Sequence, residues 1–125
     1  MPTSPKILLI AIAVIEGLVG LFMVIAPAAV AAKAMPGVDP GLAGIVMART
    51  AGTALISLGA LAWLARNTTE RVALQPNLGA LLVYNVLAVV NLLWQASNVT
   101  TGAIAPAIVH LILGAALFVY WRRMV

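Results

Sequence analysis

The chain has 125 residues, of which 64% are hydrophobic and only 8% charged, with a formal net charge of +4 and no cysteine. Soluble domains carry about 25% charged residues, so a water-soluble fold of this composition would expose apolar surface everywhere. Disulfides, iron–sulfur clusters and thiolate chemistry are excluded, and no basic cluster with interleaved aromatics marks a nucleic-acid binder.

The first apolar stretch, residues 7–32, is long enough to cross a bilayer, which takes about 20 apolar residues. It carries one charge, Glu16. A charge at the bilayer centre costs roughly 2.5–3.5 kcal/mol on insertion scales, so Glu16 needs a partner or a role. Lys6, this run and Ala29-Val30-Ala31 loosely match a signal peptide, but h-regions span only about 7–15 residues and carry no Glu. Pro27 ends or kinks the helix, leaving 28–34 as a short segment that caps the bundle. The turn Met35-Pro36-Gly37-Val38-Asp39-Pro40-Gly41 follows.

Residues 42–65 form the second stretch, with Arg49 inside it. Arg49, Gly52, Thr53, Ile56 and Ala60 share one helical side, and Gly44, Ala48 and Gly52 are small enough for close helix approach. Arg66-Asn67-Thr68-Thr69-Glu70-Arg71 is the most charged segment. The third stretch, 76–96, holds Tyr84, Asn85, Asn91 and Gln95. Tyr84, Asn91, Gln95 and Asn98 fall on one stripe, with Asn85 at its edge. The fourth, 104–121, holds His110 on a face with Ala107, Gly114 and Leu117. Pro106 fits its first turn. Trp63, Trp94, Trp121 and Tyr120 sit towards span ends, as an interfacial belt does.

The expected fold is all-α: a single integral membrane four-helix bundle with short loops. Spanning segments satisfy their own backbone groups as helices, and the alternating strands of a β-barrel are absent. Of the 7 Lys and Arg, all but Lys33 and the in-span Arg49 flank one side of the bundle. The positive-inside rule then puts both termini in the cytoplasm of a bacterium, with the chain in the inner membrane. Leu58-Gly59-Ala60 to Arg66 echoes Leu113-Gly114-Ala115 to Arg122; a two-plus-two repeat and coincidence both account for this.

At about 1.5 Å per residue, Glu16 and Asn85 lie roughly 14 Å deep and His110 roughly 17 Å. Glu16, Arg49, Tyr84, Asn85, Asn91, Gln95 and His110 are therefore the candidate ligand-binding or proton-linked residues. Two readings stand: a structural network with a Glu16–Arg49 ion pair, and a ligand or proton site at the midplane. One His and few other donors make no metal or bis-His haem site. Nothing orients Thr53 or Ser57 with His110 as a nucleophile–base pair, so no autonomous catalysis is expected. The Asn67 and Asn98 glycosylation patterns are short and carry no weight.

Two resemblances rest on these residues. Glu16-Gly17-Leu18-Val19-Gly20, Arg49 followed by Ala51-Gly52, Asn85 and His110, one group per span, resemble the DoxX-like small bacterial membrane proteins. That likeness implies an accessory subunit with a quinone or lipid pocket near Glu16, Arg49 and His110; apart from it, the expected partners are the lipid bilayer and either other membrane subunits of a larger complex or further copies of the chain in a homo-oligomer. Ala13-Val14-Ile15-Glu16-Gly17 looks like the essential Glu neighbourhood of small multidrug resistance exporters. That likeness implies proton-coupled export through Glu16. The one-sided charge of the loops and the presence of Arg49 depart from the exporter pattern.

Overall fold

A computed structural model describes residues 4–124. Its helices are α1 (Lys6–Ile25), α2 (Pro27–Ala34), α3 (Gly41–Ala65), α4 (Arg71–Asn98) and α5 (Ile104–Arg122), with a 3-10 turn at Thr101–Ala103 before α5. No strand occurs among the described residues. Four helices are long and apolar enough to cross a membrane: α1, α3, α4, and the Thr101–Arg122 segment containing α5.

The first apolar stretch is two helices, not one. Ala26 leaves the helical region at φ −129°, ψ 52°, and Pro27 opens α2 at its first position. There its fixed φ suits a helix and its missing N–H costs nothing. α2 folds back against α3. The chain turns through Gly37 and Gly41, both at positive φ, and Asp39 Oδ1 accepts the Gly41 N–H at 2.9 Å. α4 starts at Arg71, five residues before the Pro76 start expected from hydropathy, so Pro76 lies inside the helix. Pro106 is the third residue of α5.

The helices associate as two pairs, α1 with α3 and α4 with α5. The first pair meets through small residues. A Cβ on Gly20 would lie 2.6 Å from the Gly52 carbonyl oxygen, and one on Gly52 would lie 2.7 Å from that of Gly20. Gly59 is equally confined: its Cβ would sit 2.9 Å from the Gly17 backbone nitrogen. Such contact matters in a bilayer, where lipid tails are as apolar as side chains and packing drives association. The packing stripe of α3 is therefore Gly52, Gly59, Ala62 and Ala65, all buried. Gly44, expected in that stripe, would set a Cβ only against its own Pro40.

The two pairs join at one end. Leu9 and Ile12 of α1, Ala62 and Ala65 of α3, Leu74, Leu78 and Leu81 of α4, and Leu113 and Leu117 of α5 form the core. These come from the start of α1, the end of α3, the start of α4 and the end of α5. Lys6, Arg66, Arg71, Arg122 and Arg123 belong to the same four ends. There the Arg66 guanidinium stacks 3.7 Å above the Trp63 ring and donates to the Trp63 carbonyl. Towards the opposite end the pairs leave a cavity between them, beside which α2 touches the Thr101–Ala103 turn.

The glycine contacts give a direct test. Gly20→Ala should destabilise the protein by about 1–3 kcal/mol, the usual cost of overpacking. Gly17→Ala, three residues away, meets nothing within 4 Å. It should be neutral, or stabilising by up to about 1 kcal/mol from helix propensity. Unfolding in detergent micelles followed by circular dichroism reads both.

Candidate functional site

Where the closed end gives way to the cavity, four polar side chains meet. Glu16 on α1 is 2% exposed and Asn85 on α4 is fully buried. Each stands one turn after a core residue of its own helix, Ile12 and Leu81. The α1 and α4 backbones stay more than 8 Å apart between any of their described Cα atoms. Tyr84 spans that gap: its hydroxyl donates to Glu16 Oε2 at 3.0 Å.

Asn85 fixes the imidazole. Its Nδ2 donates to the Leu81 carbonyl at 2.8 Å, so its Oδ1 is left to accept. His110 Nδ1 lies 2.9 Å from that oxygen and must therefore carry a proton. The Tyr84 and His110 rings meet edge to face, with centroids 5.5 Å apart at 84°. Glu16 Oε1 has no hydrogen-bond partner. It lies 3.9 Å from His110 Nδ1, too far for a hydrogen bond. A carboxyl and an imidazole so placed can pair after a small side-chain movement. Among the described residues no third His, Cys, Asp or Glu joins them.

Arg49 lies elsewhere. It is exposed, and the basic side chain that comes within 4 Å of the Glu16 carboxylate is His110. The expected Glu16–Arg49 ion pair does not form. Arg49, Thr53 and Ala60 are exposed, and of that expected face only Gly52 and Ile56 lie against Gly20 of α1. The hydroxyls of Thr50, Thr53 and Ser57 bond to carbonyls of their own helix at 2.8–3.0 Å. Asn91 shares the helical phase of Tyr84 but lies two turns nearer the open end, where it is exposed. Asn98 is exposed too and donates to its own Trp94 carbonyl. Gln95 is half-buried and lines the cavity. The faces of α1 and α5 read from the sequence are packed: Glu16, Gly20 and Pro27, and Ala107, Gly114 and Leu117, are all buried.

The cavity measures about 840 Å³ and lies between the α1–α2 segment and the outer parts of α4 and α5. Leu18, Val19 and Phe22 of α1 face Leu92 of α4 and Pro106 of α5 across it. Val19 is one turn beyond Glu16, and Pro106 one turn before His110, so the four polar side chains lie just beneath its floor. A smaller groove of about 390 Å³ runs between α4 and α5, with Asn85 and His110 in its lining. Of the candidate site residues read from the sequence, only Gln95 lines the larger cavity. The only forewarning was the break at Pro27, which frees α2 to become a wall.

Tyr84→Phe and Glu16→Gln, singly and together, form a double-mutant cycle. Interhelical hydrogen bonds in membranes couple by about 0.6 kcal/mol on average and about 1.7 at most, and a coupling in that range is expected here. Arg49→Gln should show no coupling to Glu16→Gln in the same unfolding assay. Comparison with protein-family models, with curated proteins and with solved structures gives no match for this chain.

Proposed function

We propose that this chain is a four-span integral membrane protein that holds an elongated apolar molecule, a quinone or a lipid, between its two helix pairs, as an accessory subunit of a larger membrane complex. The observation that carries this reading is the cavity of about 840 Å³. Ligand sites of folded proteins measure about 300–1,000 Å³ and are lined mainly by apolar side chains. The resemblance to DoxX-like proteins implies the same kind of ligand. The hydrogen-bonded group of Glu16, Tyr84, Asn85 and His110 sets the floor of the cavity and holds the pairs at a fixed separation there.

Arg49 supports the subunit part of the proposal. It is a cation on the outward face of α3 with no carboxylate beside it, and such a residue within a span calls for a partner. The exporter reading has less behind it. Glu16 lines neither cavity, and the charged residue on the larger one is Lys33, a cation.

The bundle sits in the bacterial inner membrane with its closed end in the cytoplasm. Lys6, Arg66, Arg71, Arg122 and Arg123 at that end follow the positive-inside rule. The chain has no native cysteine, so single introduced thiols can report sidedness. Thr69→Cys should resist a membrane-impermeant maleimide applied to intact cells lacking their outer membrane, and Val38→Cys should react; the reverse pattern would invert the topology.

Native mass spectrometry of protein extracted in mild detergent tests the function. We expect masses above 12.9 kDa that carry one small apolar molecule, together with a heavier assembly containing a second subunit. Ala105→Trp places a bulky ring on the cavity wall and should abolish the small-molecule adduct. A bare monomer with no adduct would contradict both parts of the proposal.

A further inference from the structure

If the cavity is a ligand site, as proposed above, its lining says which class of molecule it selects. In water an apolar cavity binds apolar molecules because water is displaced. In a bilayer that gain is absent, because lipid tails already surround the protein and are as apolar as Leu. Selection must come from the polar groups of the site and from where they stand.

The inner part of the cavity offers none. Val19, Leu92 and Pro106 line it, and Glu16, one turn further in, is 2% exposed and turned to Tyr84 and His110. A quinone ring pushed inward would find no donor for its carbonyl oxygens, and an unsatisfied buried polar group is costly. A hydrocarbon chain loses nothing there.

The polar side chains stand at the other end. Lys33, in the last turn of α2, is the one charged residue of the lining. Gln95 and Thr100 line the same cavity, and α2 lies beside the 3-10 turn that Thr100 precedes. Lys33 makes no ion pair among the described residues. The chain has only 3 acidic residues: Glu16 is buried, Asp39 caps the turn before α3, and Glu70 precedes α4 at the closed end. Lys33 is exposed and lines the cavity, on the short α2 that follows the first spanning helix, so a headgroup phosphate can reach it.

We propose that the cavity takes an acyl chain of an anionic phospholipid, tail inward, with the phosphate of its headgroup paired to Lys33. The arrangement is amphipathic in the same sense as the lipid: apolar within, cationic at the rim. Replacing the anionic headgroup with a zwitterionic one removes the net attraction while keeping the chains, so charge, and not chain, decides preference.

Native mass spectrometry from mixed micelles holding equal phosphatidylglycerol and phosphatidylcholine of the same chain length tests this. Wild type should retain phosphatidylglycerol in preference. Lys33→Gln should lose roughly fivefold of that preference, the worth of one lysine near an anionic headgroup, while total lipid retained stays the same. Lys33→Arg should keep it. Ala105→Trp should lose both lipids. Circular dichroism confirms that each variant is helical. Retention of both lipids equally, unaltered by Lys33→Gln, would overturn the headgroup assignment and leave the ligand cavity standing. Ubiquinone or menaquinone retained in place of either lipid would overturn it as well. Retention of nothing would overturn the cavity as a ligand site altogether.

Discussion

The hydrogen bond from the Tyr84 hydroxyl to Glu16 is the interaction on which this structure turns. Each helix pair has its own means of cohesion. α1 and α3 lie close because Gly20, Gly52 and Gly59 carry no Cβ to separate them. α4 and α5 pack along their length. Between the pairs there is the core at the closed end, this bond at the foot of the cavity, and beyond the cavity the contact of α2 with the Thr101–Ala103 turn. Within a bilayer, apolar surfaces are not pressed together by water, so directional contacts carry more of the task of fixing one arrangement. A tyrosine suits the position because its ring fills space in the gap and its hydroxyl arrives at the far side.

The same group contains one unmet demand. Glu16 Oε2 is satisfied and Oε1 is not. A buried acceptor without a partner costs about 1–3 kcal/mol. Two bonds hold Asn85 and His110 in register, so the imidazole stays 3.9 Å from that oxygen instead of closing on it. The site thus keeps a carboxyl and an imidazole adjacent but unjoined, between the floor of the large cavity and the groove along α4 and α5. A change in the spacing of the helix pairs would alter that separation first.

Much of this was legible in the sequence, because membrane helices obey few rules. Run length gave the four spanning helices, Pro27 gave the break in the first, and counting residues put Glu16, Asn85 and His110 at one depth. What failed to show was rotation about each helix axis. Arg49 lies about 60° around α3 from Gly52 at 100° per residue, and the face that packs is the one carrying Gly52 and Gly59. That choice depends on where α1 presents Gly17 and Gly20, a property of two helices together. Asn91 has the phase of Tyr84 and none of its burial, because the pairs have already parted at its level. Lys33 reads as an ordinary loop cation until α2 folds back and makes it the rim of a cavity.

The central claim is that the pairs share a packed core at one end and are held at mid-depth by Tyr84 and Glu16, with only the contact of α2 on the Thr101–Ala103 turn beyond the cavity. Distances between paired spin labels, measured by pulsed electron resonance in bilayers, address it directly, and the cysteine-free chain accepts labels without further change. One pair, at Ile7 and Val72, spans the closed end; another, at Ala29 and Asn98, spans the open end, and all four residues are exposed. In Tyr84→Phe the open-end distance should lengthen or broaden while the closed-end distance holds. An open-end distribution identical to wild type, or an equal change at both ends, would contradict the account.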